Sequence, residues 1–265
     1  MINTQKTSPH KKSYLGVRNA AHWYLRKFRP GSRGFHGDRI LKAFVKNLLA
    51  RHGISAFVET GTSKGETTAF VAQLNHSLPV YTCEVHPPTF RETSARLTSF
   101  PNIVMRESSS PDFLQGLVGK TSLGNLPLFW LDAHWYEFWP LRDELSIITR
   151  QLGAAVILID DFEIPGRPQF GYDTTNQYRG GATAEAAIKC NLDYIKDVLD
   201  PRHTYNVIFP KYPRHAAFPF WDDGAMRGYP AIVMDAPAVA DSLLQDPFFK
   251  SRYERHSDFS TASAN

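Results

Sequence analysis

Acidic residues recur in this chain at the ends of apolar runs, and that recurrence is its main chemical signal. Glu59 closes Phe57-Val58, Glu84 closes Val80-Tyr81-Thr82-Cys83, Asp132 closes Leu128-Phe129-Trp130-Leu131, and Asp160-Asp161 closes Val156-Ile157-Leu158-Ile159. A third run, ending at Met105, is followed by Glu107-Ser108-Ser109-Ser110. One such residue is ordinary, because Asp often caps the helix that follows. Several at one rim predict a common crevice. Asp132, Asp160 and Asp161 would offer hard oxygen donors from neighbouring strand ends, a set that suits Mg²⁺ or a similar cation. His134 stands two residues after Asp132. In extended chain both would point to one side, and a neutral imidazole there could take a proton near neutral pH.

The stretch Glu59-Thr60-Gly61-Thr62-Ser63-Lys64-Gly65 reads as a strand end, a glycine turn and a helix start. Gly61 and Gly65 would let the chain turn sharply and a ligand come close, with Glu59 facing that ligand as an acceptor. Glu84 lies about 20 residues past the turn, the spacing at which nucleotide-binding α/β folds place a ribose-binding acid. The same pentapeptide, Gly61 to Gly65, matches the G-x-S-x-G elbow of serine hydrolases. Ser63, Asp161 and His203 could then form a triad. No oxyanion segment precedes the turn, and that reading leaves Glu59 and Glu84 without a role.

The elements that must hold these residues alternate. Strands are expected at about 55–59, 80–85, 102–105, 127–131 and 154–159. Helices are expected at about 38–51, 65–74, 87–100, from Pro111, and at 138–152. Short apolar runs separated by helical segments predict a mostly parallel, doubly wound Rossmann-like sheet of the α/β class. A helix at about 183–199 and an antiparallel strand pair, 205–209 and 231–234, would complete it. Residues 164–182, rich in Gly, Pro, Tyr and Arg, carry no periodicity and read as a lid-like insertion.

The 265 residues fit a single main domain, 37–265, behind a basic arm, 1–36. Residues 1–37 hold eight of the 30 Lys and Arg and no acid, so the rest of the chain carries 22 basic against 26 acidic residues. The arm reads as a partly disordered extension able to meet an acidic partner or a membrane surface. It is not enough to predict nucleic-acid binding. Two cysteines make no disulfide framework. With no secretory signal and no membrane-spanning apolar run, a cytoplasmic location is expected.

With these residues in place, the chain resembles a class I S-adenosylmethionine-dependent methyltransferase from about residue 55 to 162. The G-x-x-x-G turn, Leu131-Asp132-Ala133-His134 and Ile159-Asp160-Asp161 are similar to the macrocin and mycinamicin O-methyltransferase branch. The resemblance implies that Glu59, Gly61, Thr62, Ser63, Gly65, Glu84 and Ser108 bind S-adenosylmethionine. It also implies that Asp132, Asp160 and Asp161 hold Mg²⁺ or a similar cation, and that His134 is the general base. The implied acceptor is a hydroxyl on a sugar or other small natural-product-like molecule. A catalytically silent, cofactor-binding interaction protein on the same fold is the alternative. Homo-oligomer formation is left open.

Overall fold

The computed structural model describes residues 31–118, 123–134, 138–174, 188–220, 222 and 226–256. Helix α1 (Arg39–Arg51) is started by Asp38, whose carboxylate accepts from the amides of Ile40 at 2.8 Å and Leu41 at 3.0 Å. Such a cap satisfies backbone donors that the first turn leaves open. The buried stripe Ile40, Leu41, Phe44, Val45 and Leu48 lays the helix on the sheet. Then follow β1 (Phe57–Thr60), α2 (Glu66–Leu74), β2 (Val80–Glu84), α3 (Pro87–Leu97), β3 (Ile103–Glu107), α4 (Ser110–Val118), β4 (Leu128–Leu131), α5 (Leu141–Gln151) and β5 (Ala155–Ile159). Every residue of β1, β4 and β5 is buried, as expected for strands covered on both faces.

The sheet order is β3-β2-β1-β4-β5-β7-β6-β8, where β6 is Tyr205–Pro210, β7 is Ala231–Met234 and β8 is Tyr253–Arg255. Strands β1 to β5 are parallel. The chain winds outward from β1 to β3, then returns to add β4 and β5 on the other side. The order therefore reverses between β1 and β4, and a crevice opens there at the carboxyl ends of the strands. β7 slots antiparallel between β5 and β6.

Three expectations differ from this arrangement. Residues 31–36, assigned to the arm, are part of the domain. Phe35 is fully buried, its ring edge-on to Trp130 (centroids 4.9 Å apart) and Phe70 (5.7 Å). Residues 1–30 lie outside the described residues, as do 175–187, which hold most of the second half of the expected lid and the start of the helix expected at 183–199. The described part of that helix shrinks to α6 (Leu192–Ile195), capped by Asn191. Lys189 instead forms a bridge with Thr174, which keeps the approach to the helix extended. The first half of the lid segment is packed down, with Ile164 and Phe170 buried. The structure also adds elements not foreseen: α7 (Arg214–Ala217), α8 (Pro237–Gln245), α9 (Pro247–Lys250) and the edge strand β8. Pro237 and Pro247 occupy first-turn positions, where a missing N–H costs nothing.

Candidate functional site

The turn after β1 is shaped by its neighbours. The amides of Gly61 and Thr62 both donate to the carbonyl of Cys83, at 3.1 and 2.9 Å. Gly61 sits at φ +81°, and a Cβ there would lie 2.6 Å from the carbonyl oxygen of Asp132. Only glycine lets the ends of β1 and β4 approach so closely. Gly65, at φ +71°, would press a Cβ to 2.9 Å from Thr93 on α3. Its glycine therefore serves helix packing, and the wall of the cavity passes it by.

A cavity of about 360 Å³ opens over these strand ends, lined by Gly61, Ser63, Glu84, Ser108, Asp132 and His134 among others. Glu84 is oriented by two backbone donors: the Ser63 amide to Oε2 and the His86 amide to Oε1, both at 2.9 Å. Each carboxylate oxygen keeps a second lone pair for a ligand hydroxyl. The Ser108 amide donates to the Glu84 carbonyl at 3.1 Å and fixes the adjoining wall.

Glu59 does not face this cavity. It is 2% exposed and accepts from the hydroxyls of Thr68 and, at 2.7 Å, Thr82. The Thr62 hydroxyl lies 2.6 Å from that of Thr82 and extends the network beneath the turn. Burial raises the Glu59 carboxyl to about 7, against the two threonine donors. Glu59 and Thr62 thus brace the turn from below.

Asp132, Asp160 and Asp161 do come together. A small hollow of about 10 Å³, with room for one water-sized particle, is walled by these three residues with Asp173 and His134. Ligand atoms of Asp132, His134 and Asp161 lie within 4.8 Å of one another. His134 itself is exposed at the rim. Burial, then the charges of Asp160 and Asp161, hold the Asp132 carboxyl well above the usual carboxylate range. Burial, then Asp160 and Asp173, raise Asp161 to about 8. For Asp160 burial is outweighed by a cation beside it, and its pKa falls.

That cation is His36, which the sequence reading missed. Its Nε2 lies 2.5 Å from Asp160 Oδ2, and the charge of Asp160 is the main cause that lifts the imidazole to about 9. Arg227 is the second missed residue: Nη1 reaches Asp161 at 2.9 Å and Asp173 at 3.4 Å. No spacing pointed to either. The only hint for His36 was its place at the entry to the helix that Asp38 caps.

The buried acids repel one another and raise two pKa values, so the cluster is short of positive charge. Asp160 Oδ1 is buried with no hydrogen-bond partner among the described residues. Both observations fit a set of oxygen donors for a divalent cation. The hydrolase triad does not assemble. His203 precedes β6 and bonds Asp235 at 2.6 Å, at the amino ends of β5 and β6, the opposite end of the sheet from Ser63. Trp139 stacks on Tyr194 at 4.9 Å, whereas Trp135 and Tyr136 lie outside the described residues.

No family model matches this chain, and no curated protein is similar to it. A solved structure does share its fold. An O-methyltransferase from Bacillus cereus, in complex with SAH, aligns over 86% of this chain and 91% of its own at 14% identity and a TM-score of 0.51. The N-terminal domain of EvdMO1 with SAH bound aligns over 82% of this chain and 96% of its own, at 13% identity and a TM-score of 0.44. The eight-stranded Rossmann-like sheet of this chain is thus the fold of that Bacillus cereus enzyme. No helix of the described residues is long and apolar enough to cross a membrane.

Proposed function

We propose that this protein is an S-adenosylmethionine-dependent O-methyltransferase assisted by a divalent cation. One observation carries the reading. A single cavity at the sheet's switch point touches both Glu84, at ribose-acid position, and Asp132, from which the carboxylate cluster extends.

S-adenosylmethionine, when bound, supplies a sulfonium methyl as the electrophile, and a divalent cation, when bound, acidifies a hydroxyl beside it. Glu84 would accept ribose hydroxyls. The Gly61 turn leaves the cavity open to the cofactor's amino-acid end. Asp132, Asp160 and Asp161 would hold the cation. His134, exposed at the rim, would receive the proton of an acceptor hydroxyl. Alignment and fixed charge are the protein's contribution. The acceptor class follows the resemblance: a sugar or other small molecule bearing a hydroxyl.

The test has two parts. Calorimetric titration with S-adenosylhomocysteine, with and without Mg²⁺, should give micromolar binding. A screen of sugar and phenol acceptors should then find turnover that excess chelator and Asp160→Ala abolish, with cofactor affinity retained. Absence of binding in both conditions refutes the methyltransferase reading, and full turnover in chelator refutes the metal.

A further inference from the structure

We propose that His36 is a direct nitrogen ligand of the cation held by Asp132 and Asp160. The centre would then select a first-row transition dication such as Mn²⁺ or Co²⁺ over Mg²⁺. The inference rests on the metal-assisted reading above and revises its donor set, with His36 in the place given there to Asp161, which Arg227 engages.

Three features carry it. The first is proximity: Nε2 of His36 and carboxylate oxygens of Asp132 and Asp160 lie within 4.8 Å of one another. Donors two ångström or so from a common ion span about that range. The second is the open valence of Asp160. Its side chain is 2% exposed, His36 takes Oδ2, and Oδ1 is buried without a hydrogen-bond partner among the described residues. A buried carboxylate oxygen in that state costs free energy unless something positive reaches it.

The third feature is the way His36 is delivered. Phe35 and His36 both have left-handed backbone, at φ 51° and 55°. A bulky aromatic rarely adopts that conformation, and it persists only where the surroundings enforce it. Here the Phe35 ring is locked between Trp130 and Phe70, and its amide donates to Thr67 Oγ1 at 3.0 Å. The strained turn aims the imidazole across the strand ends at a residue 124 positions away. On the far side Arg227 already engages Asp161. Of the two donor groups here, Asp132, His134 and Asp161 includes the acid that Arg227 engages, whereas Asp132, Asp160 and His36 does not.

Imidazole suits Mn²⁺, Co²⁺ and their neighbours, whereas Mg²⁺ prefers carboxylate, carbonyl and water. The experiment uses metal-stripped full-length protein titrated with MnCl₂ and CoCl₂. His36→Asn is the main variant, because Asn tolerates the left-handed backbone yet cannot reach the ion. His36→Ala and Asp160→Asn accompany it, with circular dichroism to verify folding. The expected result is one bound Mn²⁺ whose spin-echo spectrum shows nitrogen modulation in the wild type and not in His36→Asn. Mn²⁺ and Co²⁺ affinity should drop at least about tenfold in His36→Asn, since even partners outside the ligand set are worth that much. Undiminished affinity and unchanged nitrogen modulation in a folded His36→Asn would overturn the assignment and leave the carboxylate site standing. No Mn²⁺, Co²⁺ or Mg²⁺ binding by the wild type would overturn both.

Discussion

The Ser63 amide donates to Glu84 Oε2 at 2.9 Å, so the turn after β1 and the acid that ends β2 are one unit. The bond has two effects. It holds the carboxylate in the cavity wall, and it stabilises Ser63 at φ 46°, a left-handed conformation. Glu84→Gln keeps an acceptor for the amide and loses the charge. Glu84→Ala loses both. Hydrogen bonds to a charged group contribute about 1.5–3 kcal/mol. Calorimetry should therefore show S-adenosylhomocysteine binding about tenfold or more weaker in Glu84→Ala, with Glu84→Gln between it and the wild type. Equal affinity in all three would remove Glu84 from the cofactor site.

The turn also makes a prediction about stability. Gly53 and Gly61 both have positive φ, at +64° and +81°. A Cβ on Gly53 meets nothing within 4 Å, whereas on Gly61 it would lie 2.6 Å from the Asp132 carbonyl. Gly53→Ala should cost only the left-handed conformation, about 1 kcal/mol, or roughly 3 °C in Tm for a domain of this size. Gly61→Ala should cost at least twice that, because the backbone of β4 must yield. Equal Tm losses would show that the close approach of β1 and β4 is not as tight as described.

How much of this was legible in the sequence depends on the range of the interaction. Strand runs such as Val156-Ile157-Leu158-Ile159 are buried on both faces, so local pattern alone marks them. Asp132, Asp160 and Asp161 were found because a parallel sheet brings all its strand ends to one rim. Glu59 follows the same rule and was still misplaced. Whether an acid at a strand end turns up to a ligand or down to Thr68 and Thr82 depends on residues 9 and 23 positions away. His36 was hidden for a similar reason. A basic, acid-free leader looks like solvated arm, and nothing local reveals that Phe35 inserts beside Trp130. The C-terminal elements α9 and β8 are four and three residues long, too short for a periodic pattern, and β8 lies at the sheet edge beside β6.

Arg227 gives a prediction that separates structure from metal. Its guanidinium bridges Asp161 and Asp173, and its side chain is 34% exposed. Breaking a buried pair costs several kcal/mol, and solvent screening at a partly exposed arginine reduces that to about 2 kcal/mol. Arg227→Met should therefore lower the Tm of the metal-free protein. A dication would restore the missing positive charge. Added Mn²⁺ should thus raise the Tm of Arg227→Met more than that of the wild type, by linkage to the folded state. Equal increments in differential scanning fluorimetry would show that the cation does not share a field with Asp161.

Glu59 sets a pH dependence with a definite sign. Its folded pKa is about 7 against an ordinary 4.5, because burial penalises the charged form more than Thr68 and Thr82 favour it. The folded chain therefore binds this proton more tightly than the unfolded chain between pH 4.5 and about 7. Stability contributed through Glu59 is full below pH 4.5, falls as pH rises through that window, and is flat above it. The total fall is on the order of 3 kcal/mol. Glu144 is also raised to about 7 by burial and adds a parallel slope. Glu59→Gln preserves an acceptor for both threonine hydroxyls and removes the titration. Its urea midpoint should thus decline less than the wild type's between pH 5 and 8, and it should be the more stable protein at pH 8. The same decline in both proteins would mean that Glu59 is ionised in the folded chain throughout, and that the brace beneath the Gly61 turn is a charged one.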